Sequence, residues 1–250
     1  MRVSDPSVLD EVVARLPAGW RPRSSPIVDH LLSFVVGGEA GGVRRFHLLY
    51  AAARRLVRTT EWHEALAVLE NHLTQAVAEM APGRLFVHAG VVGWNGKAIL
   101  VPGASHAGKS TLVAALLGAG ASYYSDEYAI LDAAGRVYPF PRPLHLRHGR
   151  EAATKVEPEQ LGGTRGRGPL PVGLVALARY ASGARWRPAR LTPGRALLEL
   201  LSNTIVARSH PSRAMGTLRR IVSRAPSFKG RRGDAKEAAA WLLQALGGRP

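Results

Sequence analysis

Gly103-Ala104-Ser105-His106-Ala107-Gly108-Lys109-Ser110-Thr111 is the stretch from which the rest of this 250-residue chain is read. Glycines bracket four residues, and Lys-Ser-Thr follows the second glycine. Glycine tolerates the backbone angles that curl successive N–H groups toward one point. A helix beginning where the loop ends adds its partial positive charge at the same place. The spacing G-x-x-x-x-G-K-[ST] is the P-loop pattern. It predicts that residues 103–111 cradle phosphate groups, with Lys109 reaching the β- and γ-phosphates of a nucleotide. The Ser110 hydroxyl is then placed to ligate Mg²⁺. Ala104, Ser105, Ala107 and Thr111 complete the cradle. His106 stands where a small residue is commoner and is read as pointing to solvent.

The flanks fit that reading. Residues 85–92 form an apolar strand, Asn95-Gly96 is a two-residue hairpin signal, and 98–101 is the short, buried return strand. Residues 111–117 read as a helix closed by Gly118 and Gly120. Residues 123–131 read as a further strand, interrupted or bulged at Asp126-Glu127. Neighbouring residues of a regular strand point to opposite faces, so both acids serve one site only if the strand ends or bulges there. One carboxylate would hold Mg²⁺ and the other would accept a proton from an attacking hydroxyl. His88, on the first strand, is by residue type either a satisfied core side chain or a catalytic group.

Farther out, residues 1–82 read as a small N-terminal α+β part and 83–250 as the main domain. Residues 31–36 are a strand, with 43–50 as its antiparallel partner. Thr60 is the expected N-cap of a helix whose apolar face is Trp62, Leu66, Leu69, Leu73, Val77 and Met80. Residues 172–179 suggest a strand, and 194–206, 212–222 and 234–246 suggest three C-terminal helices. The Gly- and Arg-rich stretch 149–171 is expected to be a mobile loop. Residues 139–143 (Pro-Phe-Pro-Arg-Pro) dictate a stiff, unpaired path. That path either holds Arg142 or Arg147 near a γ-phosphate or merely connects the core to the helices.

Composition excludes several classes of protein. The chain has no cysteine, so disulfides, thiolate metal sites and a cysteine nucleophile are ruled out. No apolar run approaches the ~20 residues of a bilayer span, so no membrane role is expected. The first residues lack an apolar signal core, and a cytoplasmic location is expected. The formal charge is +16, and nearly all of the excess lies after Phe140, where 21 basic residues face six acidic ones. Such a field attracts phosphate-bearing or acidic partners. The aromatics there (Tyr180, Trp186, Phe228 and Trp241) are scattered, which argues against nucleic acid.

The run from His88 through the hairpin and the 103–111 loop, followed by Tyr124-Ser125-Asp126-Glu127-Tyr128, resembles the catalytic domain of HPr kinase/phosphorylase. That family joins a histidine-bearing strand, a hairpin, a P-loop, a helix and an acidic pair in this order. The resemblance covers about residues 85–131. It implies an α/β fold: a P-loop core of the HPr kinase/phosphoenolpyruvate carboxykinase type with a mixed sheet, followed here by basic helices. It implies an ATP- and Mg²⁺-dependent kinase that phosphorylates a Ser or Thr hydroxyl of a peptide or small protein. Lys109 and Ser110 would serve phosphate and Mg²⁺, Asp126 would be the general base, Glu127 the second acid (usually Asp in the family), and His88 would help set up the acid–base site. It also implies a homo-oligomer. The family's glycine-rich signature downstream of the acids is not recognisable, and residues 1–80 do not resemble its N-terminal domain. The acceptor therefore need not be HPr, and the basic C-terminal part suits an acidic one. Two other classes fit the loop alone: a nucleotide-binding regulator without phosphotransfer, and a P-loop ATPase acting on nucleic acid.

Overall fold

The computed structural model describes residues 1–17, 20–25, 27–40, 43–104, 107–140, 142–146 and 154–247. The chain is mixed α/β and separates into two compact units, 1–80 and 81–250.

The first unit contains β1 (Arg2–Val3), α1 (Leu9–Val13), β2 (Leu32–Val35), the small pair β3 (Glu39–Ala40) and β4 (Val43–Arg44), β5 (His47–Ala51), β6 (Arg54–Thr59) and α2 (Trp62–Met80). Its main sheet runs β1-β2-β5-β6, with β1 parallel to β2 and the other pairs antiparallel. The expected partner of 31–36 is thus confined to His47–Ala51. Phe34, Leu49, Leu66, Leu69 and Val12 close a core of their own. Two expectations for α2 are corrected. Thr59, not Thr60, faces the helix start: its hydroxyl accepts from the Glu61 N–H at 3.0 Å and donates to Glu64 at 2.6 Å. The buried face also drifts from Ala65, Leu66 and Leu69 to Thr74 and Ala78, leaving Val77 and Met80 exposed. The expected spacing has the helical period, but the buried positions in the second half are the small side chains Thr74 and Ala78, which a count of large apolar residues passes over.

The second unit is built on β7 (Leu85–Trp94) and β8 (Lys97–Pro102), joined at Asn95-Gly96. Asn95 and Gly96 have φ of 47° and 72°, as a two-residue hairpin turn of the primed type requires. Next come α3 (Lys109–Gly118), β9 (Ser122–Ser125), β10 (Tyr128–Leu131), β11 (Arg136–Tyr138), β12 (Leu144–Leu146), β13 (Thr154–Val156) and β14 (Thr164–Arg165). The chain ends with β15 (Leu170–Tyr180), β16 (Ala189–Arg190), α4 (Pro193–Ser202), α5 (Pro211–Val222), β17 (Ser227–Arg232) and α6 (Ala235–Gly247). β8 and β17 lie parallel to β15, whereas β7 is antiparallel to β8, β9 and β10, so the sheet is mixed.

Alternation along the strands sorts the core into two faces. Val175 and Leu177 of β15 join Ala196 and Leu200 of α4 and Leu218 and Ile221 of α5. Leu174, Ala176 and Ala178 join Leu112, Val113 and Leu116 of α3 and Leu242 of α6.

Two readings of this unit change. The 149–171 stretch is no structureless loop where it is described: it holds β13, a short 3-10 turn at Pro158–Leu161 and β14, tied by Arg165 to Glu157 and Glu159. The helix expected over 194–206 stops at Ser202, where the backbone turns so that the Asn203 carbonyl accepts the His88 N–H at 2.7 Å. Strand β17 was not legible, because Ser-Phe-Lys-Gly-Arg-Arg carries little apolar surface to mark it.

Candidate functional site

The candidate site lies where β8 ends and α3 begins. Gly108 precedes α3 at φ 88°, a left-handed conformation that glycine adopts without strain. α3 buries Lys109, Leu112, Val113 and Leu116, a 3–4 spacing that presents one stripe to the sheet. Lys109 is the exceptional member of that stripe, at only 7% exposure. Its Nζ donates to the carbonyls of Gly103 and Ala104 at 2.8 and 2.9 Å, closing the loop on itself. Burial holds the Lys109 ammonium below its usual pKa, and the charges of Asp126 and Glu127 pull it back up. Ser105 and His106 lie outside the described residues, as does Arg147. Gly103, Ala104, Ala107, Ser110 and Thr111 occupy the loop and the first turn of α3.

The acidic pair falls in a gap between strands. β9 pairs with β7 at Val91–Gly93 and β10 pairs with it at Leu85–His88, so one interrupted strand runs along β7 and breaks at Asp126-Glu127. The Ser125 hydroxyl accepts from the N–H groups of Glu127 and Tyr128 at 3.2 and 3.1 Å, and this local turn satisfies the backbone where the ladder stops. The break frees both acids from the alternation rule. Asp126 is pushed up to about 6, first by burial, while the Ser110 hydroxyl and Lys109 draw it down. Its Oδ1 is buried and, among the described residues, has no hydrogen-bond partner. A Cβ placed on Gly90 would lie 3.9 Å from that oxygen and 2.6 Å from Val113 Cγ2. Glycine at 90 therefore lets β7 pass close under α3 beside the carboxylate.

His88 faces the α3 side of β7, since Val87 and Ala89 face the opposite core. Its ring sits 5.5 Å from that of Tyr128. Burial and then the Lys109 charge lower it to about 4, so the imidazole is neutral near pH 7. Arg142 comes within 3.5 Å of Glu127 Oε2, and its carbonyl accepts from the Tyr123 hydroxyl at 2.6 Å. The proline-rich connector thus delivers a guanidinium to the acidic pair.

The structure groups His88, Gly103, Lys109, Ser110, Asp126, Glu127 and Arg142 around one loop end. A buried base of raised pKa, an ammonium, a neutral imidazole and a hydroxyl are the parts needed to bind an anion and take a proton beside it.

Sequence reading missed two contributors. Asn203 supplies the carbonyl that fixes the His88 backbone. Arg232, only 1% exposed, stands behind the loop: its Nη2 donates to the Gly108 carbonyl at 2.6 Å, and its Nε has no partner among the described residues. Alternation within Ser227–Arg232 could have paired Arg232 with Phe228 and Gly230, but arginine is too rarely buried for that to stand out. No protein-family model matches this chain, and comparison with curated proteins likewise yields no match.

Proposed function

We propose that the chain is an ATP-dependent kinase of the HPr kinase-like type, with a P-loop at residues 103–111. It transfers the γ-phosphoryl group to a Ser or Thr hydroxyl of a peptide or small protein. The observation that carries this reading is the buried Asp126 Oδ1, without a hydrogen-bond partner among the described residues, at a strand break beside Lys109 and Ser110. A carboxylate pushed up to about 6 is an effective proton acceptor near neutral pH.

In the proposed step, the acceptor hydroxyl oxygen attacks the γ-phosphorus in line and its proton passes to Asp126. The bond to the β–γ bridging oxygen breaks, and ADP leaves. Lys109 exchanges the loop carbonyls for phosphate oxygens, and its charge answers the charge of the transferring group. His88, neutral and fixed through its backbone to Asn203, keeps a second positive charge away from Asp126, so the carboxylate is not driven to a lower, less basic pKa. Arg142, held at Glu127, is placed to approach the γ-phosphate.

Mg²⁺ takes oxygen donors, typically one or two carboxylates together with phosphate oxygens, and Ser110 and Glu127 fit that donor set. The ion would supply neutralisation of β- and γ-phosphate charge. Among the described residues no helix is long and apolar enough to cross a membrane.

The test is γ-labelled ATP with Mg²⁺ in host lysate, comparing wild type with Asp126→Asn. A band labelled only by the wild type supports the kinase and delivers its acceptor. ATP binding by both proteins, with no labelled band at any lysate concentration, favours a nucleotide-binding regulator. ATP hydrolysis stimulated by DNA or RNA favours the nucleic-acid ATPase.

A further inference from the structure

Among the described residues, Arg232 is the one buried cation that the kinase reading leaves without a task. The guanidinium carries its charge at any ordinary pH. Among the described residues it makes no ion pair. Its hydrogen bonds go to two carbonyls, Gly108 at 2.6 Å and Gly233 at 3.1 Å, and its Nε meets no acceptor. Asp234, whose charge acts on it, is engaged elsewhere: its Oδ1 accepts from the Lys236 N–H at 2.8 Å at the start of α6. The Tyr180 ring lies 5.7 Å away. Burying a charge with no carboxylate in contact is expensive, and a bound anion would supply charge of the opposite sign.

The geometry points to that ligand. The Gly108 carbonyl and the Lys109 N–H belong to one planar peptide unit and point in opposite directions. Two donors grip the carbonyl, Arg232 Nη2 at 2.6 Å and the Leu112 N–H at 3.2 Å. The plane of the unit is thereby set, and the Lys109 N–H is aimed away from Arg232. The neighbouring Ala107 carbonyl is held in the same manner by the Tyr180 N–H at 3.1 Å. A Cβ on residue 108 would lie 2.7 Å from Nη2, so Gly108 also makes room for this grip.

We propose that Arg232 is the positioning residue of the Gly108–Lys109 peptide unit and the buried counter-charge for a phosphate chain bound beside it. The proposal rests on the phosphate-binding reading above, and its ligand class is a di- or triphosphate. The experiment measures sodium tripolyphosphate and MgATP binding by calorimetry, and thermal melting with and without tripolyphosphate. It compares wild type, Arg232→Met and Arg232→Lys. Wild type binds and its Tm rises with the anion. Arg232→Met, relieved of a buried charge, melts no lower than wild type in the absence of anion but binds tripolyphosphate at least tenfold more weakly, and its ligand-induced shift in Tm is lost. Arg232→Lys, which keeps the charge and loses the fork, falls between. Binding by Arg232→Met within twofold of wild type overturns the proposal. Should Arg232→Met fail to fold, Arg232→Lys decides: several-fold weaker binding at an unchanged Tm supports the proposal, and unchanged binding overturns it. A wild type that binds neither tripolyphosphate nor MgATP removes the phosphate-binding reading itself, a result distinct from equal binding by wild type and variant.

Discussion

The two faces of the second unit's sheet are made of the same material and do different work. Toward α4 and α5 the strands present Val87, Leu100, Val175 and Leu177, and these helices answer with apolar side chains. Toward α3 and α6 the strands are equally apolar at Val92, Ile99 and Leu174, yet this face also buries Lys109 and Arg232 beside a raised Asp126. The α4/α5 side enters the site through backbone alone, at the Asn203 carbonyl. The charged groups of the candidate site thus lie on one face, while the other supplies apolar burial. Roughly 25 cal/mol per Å² of buried apolar surface offsets polar groups that would otherwise weaken the fold.

The sharpest break of this contrast is Asp126→Asn. If the α3 face carries the chemistry, transfer to the acceptor falls by roughly 10²- to 10⁴-fold, the usual contribution of a positioned general base. ATP affinity changes little, as measured by calorimetry beside the labelling assay. Comparable labelling by the variant would move the base elsewhere. The matching change on the other face is Leu200→Ala, at a fully buried position. It is expected to cost about 2–5 kcal/mol in chemical denaturation, from lost transfer energy and the cavity left behind. Tripolyphosphate affinity of the folded fraction stays within a factor of two. A large loss of affinity there would mean that the two faces are not separable.

Much of this division was legible in the sequence. The 103–111 pattern, the Asn95-Gly96 turn and the interruption at Asp126-Glu127 each rest on local chemistry, and local chemistry survives folding. The hairpin needs positive φ at two adjacent residues and has Asn and Gly to adopt it. What was not legible depended on distant partners. Arg232 comes to Gly108 from 124 residues away through the parallel pairing of β15 with β17, and no local pattern announces a buried arginine. The end of α4 at Ser202 likewise involves a distant partner: the Asn203 and Thr204 side chains donate to the Glu199 and Leu200 carbonyls, and the Asn203 carbonyl takes the His88 N–H. The buried face of α2 ends on Thr74 and Ala78, small side chains that a count of large apolar residues passes over.

A subtler break uses pH. Asp126 has its folded pKa raised from 3.8 to about 6, chiefly by burial. A carboxyl raised in this way contributes stability below pH 3.8, where it is protonated in both states. That contribution is lost as pH rises through about 6 and the buried group ionises. Asparagine does not titrate. In metal-free buffer the stability of Asp126→Asn relative to wild type should therefore rise between pH 4 and 7, by roughly 1–3 kcal/mol, and level off above. His88, lowered to about 4 by burial, works in the opposite sense in both proteins and cancels from the difference. A difference that stays flat with pH would show that Asp126 is not a strained buried acid, and the contrast between the faces would lose its main term.

The smallest effect lies outside the comparison and checks its boundary. The first unit holds its own core, so damage to it is expected to be felt as stability alone. Thr59 joins β6 to the start of α2 through its hydroxyl, accepting from the Glu61 N–H and donating to Glu64. Thr59→Val keeps the volume and β-branching that suit a strand end and removes only the hydroxyl. The Glu61 N–H then loses its partner, as a helix does when its cap is removed, at a cost of about 1 kcal/mol. Glu64 loses a donor as well but remains near water, which limits the added loss. Denaturation followed by tryptophan fluorescence reads this directly, because Trp62 begins α2 and packs on Phe34 at 5.1 Å. Phosphate binding and transfer are expected to match wild type. A change in either would show that the first unit bears on the chemistry of the second.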